Sequence, residues 1–179
     1  VYCLSLARYN KIIRQRNVLL KQIREKKAKE SSLEVWDEQF CKEAAYLMQK
    51  RLEVLEKISF FTCQIYENIA GKKEIVQSLY KRKENGGEAF LSNEDDHDFA
   101  SWYKEQLRER RSRDIERAST GIGPHRDDVF FSIDNMPARS FASQGQQRSL
   151  VLALKMAEIK LVKEECGDYP VLLLDDVMS

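Results

Sequence analysis

The sequence predicts a helix-rich α/β chain, in which an antiparallel helical hairpin leads into a shorter run of strand, helix and strand. Three observations carry that expectation. Apolar residues recur at helical spacing through most of positions 6–70. Two stretches after Gly121, one alternating and one continuously apolar, have strand patterns. Between them, Ser143 opens a further amphipathic stretch. With 42% hydrophobic and 9% aromatic residues, the 179-residue chain is too apolar for a disordered tail.

The first helix is expected over roughly 6–29, with Tyr9, Ile12, Ile13, Leu19, Leu20 and Ile23 on its apolar stripe and Arg16 interrupting it. Ser31-Ser32 offers an N-cap for the next helix. Leu33, Trp36, Phe40, Ala44, Leu47, Val54, Ile58, Phe61 and Ile65 then form one seam, with Arg51 as its charged interloper. No Gly or Pro occurs in 33–70, so a single helix of ~55 Å is expected. Two such helices joined by a short link fold back on each other, although a plain helical bundle shares the pattern.

Gly71 ends the run. Residues 74–81, with Ile75, Val76, Leu79 and Tyr80, suit either strand or helix, and Asn85-Gly86-Gly87 is a break. Asp95 or Asp96 is expected to cap a third helix reaching about Ala118, with Phe99, Trp102, Leu107 and Ile115 on its partial apolar face. Val129, Phe131 and Ile133 alternate as in a strand, and Asp134-Asn135-Met136-Pro137 reads as its turn. The helix opened by Ser143 carries Leu150, Val151, Leu154, Ala157, Ile159 and Leu161 and stops at Gly167. Val171-Leu172-Leu173-Leu174 reads as a buried strand.

Several function classes are excluded. No apolar run of roughly 18 residues is present, so no spanning helix is expected. Cys3, Cys41, Cys63 and Cys166 form no Cys-x-x-Cys and read as reduced thiols of a cytoplasmic protein. His97 and His125 lack partners at ligand spacing, against a structural zinc site. The formal net charge of +1 hides an uneven layout. Positions 1–30 carry nine Lys and Arg against Glu25 and Glu30, whereas 84–98 carry six acids and no Lys or Arg. Such sectoring steers a polyanion toward one face, or simply solvates helices.

Two motifs carry chemistry. In Leu172-Leu173-Leu174-Asp175-Asp176 an apolar strand delivers two carboxylates at its C-terminal end, the form of a Walker B element. One acid can hold Mg²⁺ while the other orients or deprotonates a water. A core strand ending at an acidic turn has the same pattern. Ser143-Gln144-Gly145-Gln146-Gln147-Arg148 places a Ser N-cap and a Gly at a helix start, which suits ordinary capping or a phosphate grip.

In this order and spacing the pair resembles the signature motif and Walker B of ABC-type ATPases, including the SMC group. The strings Gly123-Pro124-His125-Arg126-Asp127-Asp128, 141–149 and 169–177 narrow the resemblance to the RecF family, as do Tyr9, Arg16-Asn17-x-Leu19-Leu20-Lys21 and Trp36-Asp37. The resemblance implies the following fold: α/β, helix-rich, an antiparallel helical hairpin arm attached to the signature and Walker B part of an ABC-type P-loop ATPase head. The arm would span 1–119, with a small strand near 74–81, and the head portion 120–179.

The resemblance further implies an ATP-dependent DNA-binding recombination mediator of DNA repair and replication, working with RecO and RecR, whose ATP is sandwiched between two protomers. Ser143 and Gly145 would contact the γ-phosphate held by the other protomer, with Gln144 and Gln146 beside them. Asp175 would support Mg²⁺, and Asp176 would stand at the catalytic acid position, with a reach shorter than the usual Glu. Asn135-Met136 stands where an Asn-Gly turn is expected. Arg126 would touch phosphate or DNA, or instead form an ion pair with an Asp, and His125 would line the head interface. Lys11, Arg14 and Lys21 are candidate DNA or partner contacts.

The chain opens on Val1-Tyr2 and has no Gly-x-x-x-x-Gly-Lys-Ser/Thr, so it reads as part of a longer polypeptide whose P-loop lies upstream. ATP and Mg²⁺ are therefore expected with the longer protein, as is ATP-dependent dimerisation, and no cofactor or hydrolysis with this chain alone. Two other readings are a helical scaffold that docks RecR rather than DNA, and an SMC-like ATPase with a truncated coiled coil.

Overall fold

Long uninterrupted helix follows from the absence of breakers, and it appears where Gly and Pro are missing. The computed structural model describes residues 1–71, 74–91 and 98–171. Helix α1 spans Tyr2–Arg24 and α2 spans Glu34–Ala70. Ser31 and Ser32 do not cap α2 through their side chains; they lie inside a 3₁₀ turn, Glu30–Leu33. The stretch after Gly71 resolves to strand, β1 over Val76–Glu84, followed by β2 over Gly87–Leu91. Glu84 pairs with Gly87, leaving Asn85-Gly86 as a two-residue hairpin turn.

Helix α3 covers Phe99–Glu109 and is capped by Asp98, whose side chain accepts from Ser101 N at 3.1 Å. Asp95 and Asp96, the expected caps, lie outside the described residues. The single helix expected to reach Ala118 is broken at Arg110, and α4 follows over Arg111–Arg117. Strand β3 is Asp128–Ile133, β4 is Met136–Pro137, α5 is Ala138–Phe141 and α6 is Gln144–Cys166. The β3–β4 turn is Asp134-Asn135, both at positive φ (51° and 63°), so Asn135 takes the left-handed position and Met136 belongs to the strand. The strand order is β2-β1-β3-β4, and the pairs β1–β2 and β3–β4 are antiparallel.

The chain forms two compact units, Val1–Val54 with Leu79–Val129, and Leu55–Ser78 with Phe130–Ser179. In the first unit α1 runs antiparallel to the front half of α2. Tyr2 meets Arg51, Arg8 meets Glu43, the Tyr9 ring lies tilted against Phe40 with centroids 5.3 Å apart, and Arg16 meets Asp37. The Tyr103 ring of α3 stands edge-on to Phe40. Tyr9, Leu20, Leu33, Phe40, Leu47, Tyr103 and Ile122 are buried in this unit.

In the second unit α6 runs antiparallel to the rear half of α2, through Lys57–Glu165 and the Lys160 ammonium 4.4 Å above the Phe61 ring. Tyr66, Val76, Ile133, Ala138, Leu150 and Ala153 form its core. Along α2 the expected seam shifts past its midpoint, because Val54 is exposed while Leu52 and Tyr66 are buried. On α6 only Leu150, Ala153 and Ala157 are buried, and Val151, expected on the inner face, is 57% exposed. Among the described residues no helix is long and apolar enough to cross a membrane.

Candidate phosphate-binding turn and the polar 123–128 loop

The start of α6 is built by reciprocal capping. Ser143 has extended backbone, its Oγ accepts from Gln146 N at 3.2 Å, and Gln146 Oε1 accepts from Ser143 N at 2.8 Å. Gln146 Nε2 donates to Glu74 Oε1 at 3.0 Å, and the other Glu74 oxygen accepts from the Tyr66 hydroxyl. Gln146 thus spends both ends of its amide holding the turn in place. Gln144 and Gly145 are exposed. A Cβ at Gly145 would meet only Ser143 Oγ, at 3.9 Å, so internal packing does not require glycine there.

The first N–H groups of a helix have no intrahelical acceptor and carry the positive end of its dipole. Ser143 Oγ accepts one bond and still has its own proton to donate. An anion oxygen placed over Gly145 would meet those donors without a side chain in the way. Asp175 and Asp176, with Leu172, Leu173 and Leu174 before them, lie outside the described residues. Among the described residues no group of three or more His, Cys, Asp or Glu is placed to hold a metal ion.

The 123–128 loop is fixed in the first unit by side chains from three elements. Tyr9 Oη lies 2.8 Å from His125 Nδ1, and His125 Nε2 lies 3.2 Å from Thr120 O. A carbonyl only accepts, so Nε2 carries the proton and Nδ1 accepts from the tyrosine. Arg51 donates to Pro124 O and to the Tyr2 hydroxyl, which explains a charge in an otherwise apolar seam. Asp127 accepts from Tyr80 Oη at 2.9 Å and from Lys83 N at 2.8 Å. Asp128 accepts from Val129 N, and exposed Arg126 reaches Ser119 Oγ and Thr120 O at 3.4 Å each. The Arg126–Asp ion pair considered from sequence is absent among the described residues, because backbone and tyrosine donors occupy the two carboxylates.

Burial pushes the Asp127 carboxyl up to about 6 from its ordinary 3.8. Desolvation lowers the His125 imidazole to about 4 from 6.5, and the Arg126 and Arg51 charges add to that effect. The raised carboxyl favours the folded state fully below pH 3.8, and that contribution is lost as pH rises through about 6. The depressed imidazole favours it fully above pH 6.5, and that contribution is lost as pH falls through about 4. The two slopes oppose each other. Relative to the parent chain, Asp127→Asn is therefore expected to lose melting temperature on acidification, and His125→Gln to gain it. Melting curves taken at intervals from pH 4 to 6.5 check this, and parallel profiles for both variants would contradict it.

A second polar cluster was not anticipated. Arg16 is fully buried, with Nε on Asp37 at 2.7 Å and Nη1 on Asp114 at 2.9 Å and Thr120 Oγ1 at 2.8 Å. Asn17 Oδ1 accepts from Thr120 N and Oγ1. Residues from the separate strings Arg16-Asn17 and Trp36-Asp37 therefore meet in one place. The available signal was the cation interrupting the apolar stripe of α1. Lys11, Arg14 and Lys21 are exposed along α1, spaced to share one face.

No protein-family model matches the chain. It is 38% identical over 178 residues to the DNA replication and repair protein RecF of Clostridium novyi (strain NT), covering 99% of this chain and 46% of that protein. It is 40% identical over 179 residues to RecF of Streptococcus suis (strain 05ZYH33), covering all of this chain and 46% of that one. The solved structure of the recombination mediator protein RecF-ATP in the RecFOR pathway superimposes with a TM-score of 0.88 at 33% identity, over 99% of this chain and 46% of that chain. A RecF-ATPrS structure of the same pathway gives 0.85 at 34% identity, with the same coverages. The chain spans about half the length of the curated relatives it matches, and over that span it is similar to the RecF proteins.

Proposed function

We propose that this chain is the signature-bearing portion of an ATP-dependent, DNA-binding recombination mediator. In this reading 1–119 is a helical arm, and 120–179 is the signature and Walker B part of an ABC-type head. ATP is sandwiched between two protomers, with Ser143 and Gly145 contacting the γ-phosphate held by the other protomer's P-loop. The observation that carries the reading is the exposed start of α6, capped by its own side chains and open above Gly145. The RecF-ATP relative supports nucleotide binding by the longer protein. Gln146 acts there by locking the turn against Glu74, with Gln144 at its open edge.

Asp175 is proposed to support Mg²⁺, and Asp176 to orient or deprotonate the attacking water. The metal, when bound, offsets charge on the β- and γ-phosphates. The protein would act with RecO and RecR in the bacterial cytoplasm, associated with the nucleoid.

The test is Ser143→Arg in the complete polypeptide, with dimerisation followed by sedimentation with and without ATP. Each charged hydrogen bond lost is worth about 1.5–3 kcal/mol, so the ATP-induced dimer is expected to weaken by roughly 10- to 100-fold. Ser143→Asn retains an N-cap and controls for loss of helix stability. A dimer of normal affinity in the Arg variant would end the assignment.

A further inference from the structure

The first unit has a cleft of about 650 Å³ between the tip of the β1–β2 hairpin and the C-terminal end of α4 with the loop after it. Its walls include Lys81, Lys83, Arg113, Arg117 and Arg126, against the acids Glu84, Glu88 and Asp128. The acids are already engaged. Glu88 receives Lys81 at 2.8 Å and Lys83 at 3.4 Å, Glu84 receives Arg82, and Asp128 accepts from the Val129 amide. Arg110 also lines the cleft but is tied to Asp114 and Asn85.

Arg113 and Arg117 are exposed, and neither makes a hydrogen bond or ion pair among the described residues. One helical turn apart, their like charges repel. Arg126 adds a third cation, held among the described residues by two long contacts. Arginines gathered at one opening with no ion-pair partner among the described residues favour an external anion. Among the described residues the lining has no aromatic ring on which a base could stack, while Gly86 and Gly87 leave backbone accessible at the hairpin tip. Recognition there is by charge and backbone, which suits phosphates rather than bases.

Resting on the DNA-binding reading above, we infer that this cleft grips the sugar–phosphate backbone of duplex DNA, with Arg113, Arg117 and Arg126 as the phosphate contacts. The register of the grip is set by the hairpin tip on one side and the end of α4 on the other.

The experiment is Arg113→Gln/Arg117→Gln in the complete protein, with duplex binding measured by fluorescence anisotropy in ATP over a range of salt. ATP-dependent dimerisation is followed in parallel. Affinity is expected to fall about tenfold or more, and the slope of log K against log salt to shrink by roughly 2, since each phosphate contact contributes about 0.9. Dimerisation should be unchanged, and Arg113→Lys/Arg117→Lys should restore the slope. Unchanged affinity and slope in a protein that binds duplex and dimerises normally would overturn the cleft assignment and leave the ATPase reading intact. A parent protein that dimerises with ATP yet binds no duplex at low salt would overturn both the assignment and the DNA-binding reading. Loss restricted to a single-stranded probe would also overturn the assignment.

Discussion

Replacing Asp114 by alanine is expected to remove about 3–5 kcal/mol of folding stability, read as a lower urea midpoint. Asp114 is fully buried and takes Arg16 Nη1 at 2.9 Å on one oxygen, and Arg110 Nε at 2.9 Å and the Gly121 amide on the other. Without it, Arg16 would keep Asp37 as its one carboxylate and Arg110 would keep the Asn85 side-chain oxygen. A pair of buried charges contributes little net stability compared with an apolar core, but an orphaned buried charge is expensive. That asymmetry sets the size of the effect. Combining Asp114→Ala with Arg16→Met should cost less than the sum of the single changes, because the second removes the charge that the first strands. An Asp114→Ala chain within 1 kcal/mol of the parent would show that water or Asp37 fully replaces the lost partner.

The second large effect is expected at Gly123. Its φ is +122°, and a Cβ there would strike the Tyr9 hydroxyl and come within 2.6 Å of Phe40 Cζ. Gly123→Ala therefore combines backbone strain of about 1–3 kcal/mol with overpacking of a similar size. It also pushes Tyr9 off His125, the bond that anchors the loop to α1. Gly86→Ala is the control. Gly86 also has positive φ (+99°) but nothing lies within 4 Å of its Cβ position, so only the conformational cost of about 1–2 kcal/mol applies. Thermal unfolding of both variants separates the contributions, and equal losses would mean that the contact at Gly123 is relieved by movement of the loop.

Both effects arise where charges or glycines break a pattern. Arg16 and Arg51 were legible as interruptions of apolar stripes, yet their meaning was not. A cation on an inner helix face is satisfied only by acceptors brought from far along the chain, here Asp114 and Thr120 for Arg16 and Pro124 O for Arg51. The third helix shows the same limit. Its helical composition continues past Arg110, but the bond from Arg110 Nε to Asp114, with Nη1 on Asn85, accompanies a break that periodicity does not encode. The exposed Val151 on α6 is a further case, because apolar spacing reports which face can be buried and not which face finds a neighbour.

What the sequence determined by itself was local. Breaker-free stretches with helical periodicity set α1 and α2, Asn85-Gly86 and Asp134-Asn135 set the hairpin turns, and Ser143 with Gln146 and Gly167 set both ends of α6. Each depends on backbone torsions and on hydrogen bonds within a few residues. The tertiary structure alone decided which charges are buried, which carboxylates are already occupied, and that Arg113, Arg117 and Arg126 open onto one cleft with the hairpin tip. Those outcomes depend on distances between residues remote in the chain, which local spacing does not contain.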